Sequence, residues 1–399
     1  MFLRLWFFCC IGSFLSLQAK QLEVAVHARS AILMNAETGA ILYEKDSRIS
    51  SFPASTTKIA TALYVLDREK LNLEQTVTVS SEALKIRPPN GGSDVPAYWN
   101  GSDGTKMGLV KGEKVTLDAL LHGLMLSSGN DAANVLAESF AETVPGFMEK
   151  LNGYLCDLGC KDTHFCNPHG YHYPDHFTTA YDLCLMTKKA LQIPKFREIV
   201  STLSYTKPKT NKQPESKLRL FNHLLTPGRF FYPKAIGVKT GYHSQGLNNL
   251  VAAAKDQGRT LIAVLLGCEN KEERYRDAIR LFEMAFAEEK ERARLFSAEN
   301  LFVKELPGAK SILKSNLEGE VAIEFYPAEK PECKAFVYWQ PLDLPIQKGQ
   351  KVGEVRVLDQ NGFLLQRQNL VAQERVEGTF LFRIKRFFKG LFRGSSDKT

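Results

Sequence analysis

Three short motifs in this sequence contain the hydroxyl, amine and amide side chains used in nucleophilic catalysis. Ser55 is followed three residues later by Lys58, at the start of an apolar helical run. Residues three apart on a helix share a face, with Cβ atoms about 5–6 Å apart, so the lysine amine can lie beside the serine hydroxyl. The helix N-terminus adds free N–H groups and positive potential, which favour a neutral amine and stabilise negative charge on oxygen. The pair predicts a serine nucleophile with a lysine base.

The S-x-x-K spacing carries little information by itself. The same pattern begins at three other serines: Ser204, Ser311 and Ser395. Ser204 leads into Pro208 and is predicted to lie in a strand, while the other two lie in the late part of the chain and in its terminal tail. Ser55 differs because it opens an apolar helical run, formed by Ile59, Ala62, Leu63 and Leu66.

Two further motifs follow Ser55 in a fixed order along the chain. Ser128-Gly129-Asn130 is the only S-x-N sequence, and a helix is predicted to begin directly after it. Lys239-Thr240-Gly241 is the only K-T-G sequence, and it ends a predicted strand where Gly241 lets a ligand backbone approach closely. The order S-x-x-K, S-x-N and K-T-G on helix, loop and strand end is the arrangement of penicillin-recognising serine acyl-transferases.

The elements predicted around these motifs describe a mixed α/β body followed by a β region. Helices are predicted over about 55–66, 116–142, 145–158, 178–192 and 271–295, a hairpin over 30–44, and strands near 235–240, 247–254 and 260–267. Residues 87–106 are rich in Pro, Gly, Ser and Asp and predict a long loop, either a lid, a binding rim or an insertion. From about residue 300, short alternating strands predict a small β-sandwich or barrel.

With these motifs, the sequence resembles the low-molecular-mass D-alanyl-D-alanine carboxypeptidases, the serine penicillin-binding proteins of peptidase family S11. The segments that carry the likeness are 31–39, 53–58, 128–133, 158–168, 237–241, 250–254 and 348–353. The resemblance implies a serine β-lactamase/penicillin-binding transpeptidase-like domain over 26–295, an α/β (α+β) fold with an antiparallel sheet flanked by helices. A β-sandwich domain would follow over 300–378. The 87–106 loop and Tyr242-His243-Ser244 depart from the family pattern and concern substrate preference.

The resemblance also implies a role for each motif residue. Ser55 would attack the carbonyl between the two terminal D-alanines of a peptidoglycan stem peptide, Lys58 would accept its proton, and Ser128 would relay a proton to the leaving amine. The substrate-binding residues would be Asn130, Lys239, Thr240 and Gly241, with Tyr242 supplying an oxyanion-hole N–H together with that of Ser55. The family reaction uses no metal and no organic cofactor. β-Lactams mimic the terminal dipeptide and should acylate Ser55.

Three alternative functions stay open at this stage. A β-lactamase of the same fold usually carries a deacylating glutamate in an E-x-x-L-N loop, whereas Glu149-Lys150-Leu151-Asn152 is one residue too short and lies in a predicted helix. A D,D-endopeptidase would differ only in what lies beyond the scissile bond. A catalytically idle wall-binding protein is disfavoured by the intact Lys58, Ser128 and Lys239.

The charge distribution argues against a nucleic-acid partner. The 399-residue chain has a formal net charge of +8 and a pI of about 8.9. Residues 380–399 hold a net charge of +5 and residues 1–19 hold +1, so the body between them is close to neutral, at +2. The positive charge therefore lies mainly in a tail and not over a binding face.

Both ends of the chain predict export and membrane association. Residues 1–19 have a basic start, a short apolar run and a small residue at a plausible cleavage site, as in a secretory signal peptide, with an uncleaved anchor or a lipoprotein as alternatives. Residues 380–393 predict an amphipathic helix with apolar and cationic faces, in which Phe382 alone falls outside the apolar arc. Such a helix lies in the membrane interface, or packs on its own protein. The predicted location is the periplasmic face of the inner membrane.

The cysteines do not form a recognisable pattern. Six remain after signal removal: Cys156, Cys160, Cys166, Cys184, Cys268 and Cys333. Their spacing, and that of nearby histidines, does not match paired zinc knuckles or a small disulfide scaffold. Free or partly bridged thiols are expected, without a metal.

Overall fold

The computed structural model describes residues 20–88 and 94–384. These divide into two compact units, one of Gln21–Glu288 and one that runs from Glu289 and includes Lys20. The predicted signal peptide at 1–19 and the part of the predicted anchor at 385–393 lie outside the described residues.

The larger unit consists of nine strands and seven α-helices within the described ranges. The strands are β1 Ser30–Asn35, β2 Ile41–Lys45, β3 Thr76–Thr78, β4 Lys114–Thr116, β5 Ser204–Lys207, β6 Ser216–Arg219, β7 Ala235–His243, β8 Leu247–Asp256 and β9 Arg259–Cys268. The helices are α1 Lys58–Leu66, α2 Leu117–Met125, α3 Asn130–Ala141, α4 Val144–Asp157, α5 Ala180–Ala190, α6 Pro194–Ser201 and α7 Glu273–Phe286.

A five-stranded antiparallel sheet with the order β2-β1-β9-β8-β7 forms the middle of this unit. Ile262 and Val264 of β9 point into the core shared with α1–α6, and the alternate residues Leu261, Ala263 and Leu265 are equally buried on the other face. Helix α7 packs against β8 and β9. Because both faces are covered, β8 and β9 consist of almost continuous apolar residues.

Two sequence predictions about this unit need correction. Ser55 lies in a 3₁₀ turn over Ala54–Thr57, and the α-helix begins only at Lys58, because Ala54 has a positive φ of 50° that an α-helix does not accommodate. The long helix predicted to reach residue 295 ends at Phe286, where Arg259 donates a hydrogen bond to the carbonyl of Ala285.

The second unit is all β. Its strands are β10 Glu291–Phe296, β11 Phe302–Lys304, β12 Leu313–Leu317, β13 Val321–Phe325, β14 Cys333–Trp339, β15 Lys351–Asp359 and β16 Leu364–Ala372. Residues 291–295, predicted as the end of that long helix, belong to β10, whose backbone pairs with β13 instead of continuing the helix. A five-stranded sheet has the order β11-β12-β16-β15-β14. The predicted β-rich character of this region is thus observed.

The predicted C-terminal helix begins at residue 380, and the described part of it ends at residue 384. Phe382 packs on the β unit, so closely to Gly308 and Gly378 that a Cβ at either glycine would lie 2.3 or 2.9 Å from its ring. Phe380 and Leu381 are 75% and 72% exposed. The residue outside the apolar arc is therefore the one that attaches the helix to its own unit. Within the described ranges, no helix is both long and apolar enough to cross a bilayer.

The buried ion pair between Glu113 and Lys207 is predicted to be a major determinant of stability. The two groups are 2.9 Å apart, and their side chains are 0% and 1% exposed. Glu113→Ala leaves the Lys207 amine buried and unpaired, which should lower the free energy of unfolding by about 3–5 kcal/mol. Urea unfolding followed by circular dichroism measures this loss. The double variant Glu113→Leu/Lys207→Met removes both charges and should lose less, and an equal or larger loss would contradict the explanation.

Candidate active site

An open cleft of about 490 Å³ lies at the point where the three motifs meet. Six of the eight predicted site residues line it: Ser55, Ser128, Asn130, Thr240, Gly241 and Tyr242. The other two, Lys58 and Lys239, are buried behind this surface and reach Ser55 and Ser128 with their amines. The structure therefore brings all eight residues together.

The Lys58 amine makes three contacts that fix its orientation. Nζ lies 2.7 Å from Asn130 Oδ1, 2.7 Å from the carbonyl oxygen of His169 and 3.1 Å from Ser55 Oγ. The first two partners can only accept hydrogen bonds, so a neutral amine donates one N–H group to each of them. Its lone pair is then left for the Ser55 hydroxyl, which is the geometry of a general base.

The surroundings of Lys58 favour this neutral form. The side chain is fully buried. Burial, followed by the positive charge of Lys239, holds the pKa of Lys58 well below its usual value, although the carboxylate of Asp131 acts in the opposite direction. A lysine with a normal pKa would be protonated at neutral pH and could not accept a proton from Ser55.

Ser128 and Lys239 form the opposite wall of the cleft. Lys239 Nζ donates to Ser128 Oγ at 3.1 Å and to the carbonyl of Thr240 at 3.1 Å. Burial, and then the charge of Arg274, lowers the pKa of Lys239 to about 7. Ser128 has a positive φ of 57°, a strained conformation for a residue with a side chain, and Thr105 Oγ1 donates to its carbonyl at 2.6 Å.

Asp131, directly after the S-x-N motif, holds the neighbouring loop in place. Its carboxylate accepts hydrogen bonds from the N–H groups of Met107, Gly108 and Leu109 at 2.8–3.0 Å. The N–H of Asn130 donates to the carbonyl of Thr105. The end of the long loop predicted at 87–106 is thus bonded to the motif and forms a wall of the cleft.

The K-T-G strand lies directly against the segment that carries Ser55. A Cβ on Gly241 would lie 2.9 Å from the carbonyl oxygen of Pro53, so glycine is required there by the protein's own backbone. Gly241 also lines the cleft, so the close approach of a ligand backbone stays a prediction. Asn249 of β8 donates to the carbonyls of Phe52 and Pro53 at 2.8 and 3.0 Å, which fixes the two segments together.

Two residues of the site were missed by sequence reasoning. Arg274 of α7 lines the cleft and donates to the carbonyls of Gly241 and Asn249, and no motif marks it. His169 supplies the carbonyl that Lys58 contacts. It is the residue directly after the family-like segment 158–168. The His169 ring accepts from Tyr171 N–H and donates to the Tyr98 carbonyl, and burial lowers its pKa to about 3.

Two other serines of the S-x-x-K type, Ser204 and Ser311, do not line this cleft, and Ser395 lies outside the described residues. Ser204 is exposed in β5, and its Lys207 pairs with Glu113. All six cysteines of the described residues are free thiols. Within the same ranges, no group of three or more His, Cys, Asp or Glu side chains is arranged to hold a metal ion.

Comparison with known proteins agrees with this geometry. Residues 16–270 match the family model described as D-alanyl-D-alanine carboxypeptidase, peptidase S11. The chain belongs to this family. D-alanyl-D-alanine carboxypeptidase DacF of Bacillus subtilis is 31% identical over 88% of this chain and 86% of its own length, and DacD of Escherichia coli is 29% identical over 91% and 90%.

Solved structures show the same fold. Penicillin binding protein 5 of Haemophilus influenzae aligns with a TM-score of 0.62 and 26% identity, covering 90% of this chain and 100% of that one. The Streptomyces K15 DD-transpeptidase aligns with a TM-score of 0.59 and 32% identity, covering 67% and 99%. The predicted fold class, a penicillin-binding-protein fold with a C-terminal β domain, is confirmed.

The pKa of Lys239 gives a direct test of the electrostatics of the site. In ¹³Cε-lysine NMR, one resonance, assigned by Lys239→Arg, should titrate with a midpoint near 7, because burial and Arg274 both disfavour the charged amine. Arg274→Gln removes a positive charge, so the midpoint should move to higher pH. Arg276→Gln is the matched control, because Arg276 pairs with Glu272 on the same helix. A midpoint near 10 in the parent protein would contradict the assigned environment.

Proposed function

We propose that this chain is a serine-type D-alanyl-D-alanine carboxypeptidase that removes the terminal D-alanine from peptidoglycan stem peptides through an acyl-enzyme on Ser55. Family membership supports the reaction class. The observation that carries the assignment to residues is the 3.1 Å contact between Ser55 Oγ and a Lys58 amine whose other two contacts are carbonyl oxygens. That contact supplies both a nucleophile and its base.

Acylation follows from the positions of these groups. Ser55 Oγ attacks the penultimate carbonyl carbon while its proton moves to the lone pair of Lys58. The backbone N–H groups of Ser55 and Tyr242 stabilise the oxyanion. As the C–N bond breaks, the proton taken up by Lys58 passes through the Ser128 hydroxyl, which Lys239 contacts at 3.1 Å, to the leaving nitrogen, and Lys58 becomes neutral again. D-Alanine leaves with a neutral amine, and the acyl group stays on Ser55.

The cationic end of the cleft fits the substrate's terminal carboxylate. Thr240 and Arg274 line this end, the Lys239 amine lies behind it at 3.1 Å from the Thr240 carbonyl, and positive charge attracts an anionic group. Asn130 orients the substrate and Lys58, to which its side-chain oxygen is already bonded. Water then attacks the ester carbonyl and gives a proton to Lys58. Lys58 passes that proton to Ser55 Oγ as the ester bond breaks, and the shortened peptide leaves.

The β-lactamase alternative receives no support from the site. Glu149 is exposed on α4 and does not line the cleft. Among the described residues, Asp103 is the only carboxylate in the cleft lining. A β-lactam should therefore acylate Ser55 and leave slowly, as expected of a penicillin-binding protein. The catalytic domain, predicted over 26–295, would be the unit of Gln21–Glu288. The β domain, predicted over 300–378, would already include β10 and would serve as a spacer or interaction module.

We further propose that the protein is exported and rests on the periplasmic face of the inner membrane. The signal-like residues 1–19 and the cationic amphipathic segment 380–393 support this placement. Phe382 fixes the start of the helix on the β unit, while Phe380 and Leu381 stay exposed and free to enter a lipid interface.

Ser55→Ala should abolish both D-alanine release from a D-Ala-D-Ala pentapeptide and the penicillin adduct seen by mass spectrometry, because no other hydroxyl lies beside Lys58 Nζ among its contacts. A loss of about 10³-fold or more in kcat/KM is expected. Ser204→Ala is the matched control, since Ser204 also precedes a lysine by three residues but lies outside the cleft. A penicillin adduct that persists in Ser55→Ala would contradict the assignment of Ser55 as the nucleophile. Rapid loss of the parent adduct would favour a β-lactamase.

Phe380→Glu/Leu381→Glu should release the mature chain from vesicles of phosphatidylglycerol and phosphatidylethanolamine, because it puts charge into the apolar face without touching Phe382. Cosedimentation measures the effect. Phe363→Glu/Leu364→Glu makes the same change at two exposed apolar residues of the β15–β16 hairpin and should pellet like the parent. If the 380/381 variant also pellets like the parent, the tail is not the membrane-binding element.

A further inference from the structure

Two segments that depart from the family pattern meet at one edge of the cleft. Asp103 comes from the long loop and His243 from the strand end after K-T-G, and both line the cleft. Tyr171 is close to both: burial, and then the charge of Asp103, raises the pKa of its hydroxyl, and its ring meets that of His243 edge-on at 5.6 Å. We call these three residues the Asp103 rim.

The part of the loop around Asp103, from Gly101 to Gly104, is closely packed. A Cβ on Gly101 would overlap the ring of Tyr171 at 2.0 Å, and one on Gly104 would lie 2.5 Å from Asn130 Nδ2. The loop backbone therefore contacts both the rim and the S-x-N motif. Asp103 has a defined position relative to Ser55 for this reason.

The cleft lining carries charges of both signs. Arg274 donates to the carbonyl of Gly241, next to Thr240, where we propose that the substrate carboxylate binds, and Asp103 is the single carboxylate of the lining within the described chain. An extended peptide advances about 3.3 Å per residue along a strand. With its terminal carboxylate at Thr240 and its scissile carbonyl at Ser55, the residue before the two D-alanines would lie beside His243 and the Asp103 rim.

We propose that the Asp103 rim is a specificity site for a substrate whose residue before the two D-alanines carries a free side-chain ammonium group. The carboxylate of Asp103 pairs with the ammonium, and the aliphatic part of the side chain lies on the rings of Tyr171 and His243. A stem peptide whose amine is already acylated, as in a crosslink, loses this contact. The inference rests on the proposed function and adds a preference for uncrosslinked stems.

The test compares two peptides on the full mature chain: acetyl-L-Lys-D-Ala-D-Ala and its Nε-acetylated form. The parent enzyme should prefer the free amine by about threefold in kcat/KM, the range of an exposed ion pair, and the preference should shrink at high salt. Asp103→Asn should bring the ratio close to one, whereas Asp103→Glu, which keeps the charge, should retain the preference.

Asp175→Asn is the matched control, because it removes the same charge from an exposed side chain that does not line the cleft, and it should keep the parent's ratio. Equal kcat/KM for both peptides in the parent enzyme overturns the specificity site while leaving the carboxypeptidase assignment intact. The same holds for an unchanged ratio in Asp103→Asn. If the parent releases D-alanine from neither peptide, the proposed function itself fails.

Discussion

The burial of two lysine amines in one cleft is the constraint around which the larger unit is organised. Lys58 and Lys239 are almost completely inaccessible, and the positive charge of Lys239 lowers the pKa of Lys58. A buried ammonium costs several kcal/mol unless it is paired or neutral. The molecule meets this constraint with carbonyl and hydroxyl partners, from Asn130, His169, Ser128 and Thr240, which suit neutral or partly neutral amines. The nearby carboxylate of Asp131 accepts hydrogen bonds from loop N–H groups and not from an amine.

The surrounding architecture can be understood as support for these partners. Asn249 ties the K-T-G strand to the segment before Ser55, and Gly241 lets the two backbones come close. Gly170 does the same on the other side, where a side chain would collide with the carbonyl of Ala54. The segments that carry the catalytic residues therefore have a closely packed backbone. The groups that face the rest of the substrate lie on loops and strand ends.

The sequence predicted the parts of this site that depend on local spacing. Ser55, Lys58, Ser128 and Asn130 share short motifs, and the strands predicted near 247–254 and 260–267 correspond to β8 and β9. It could not predict Arg274, because a single arginine on an amphipathic helix has no local signature. It also placed residues 291–295 in a helix, since the pairing of β10 with β13 is a tertiary contact that overrides local preference. Periodicity put Phe382 outside the apolar arc but could not show its partners, Gly308 and Gly378.

The distance along the chain between the cooperating groups has a further consequence. Asn249 bonds to Pro53 across 196 residues, and Lys58 to His169 across 111. A partly folded chain that lacks either connection has an ordinary serine and a protonated lysine, and is inert toward acylating reagents. Covalent labelling of Ser55 would thus count native molecules only, so the labelled fraction during biosynthesis or refolding would report how much of the population has completed its long-range contacts.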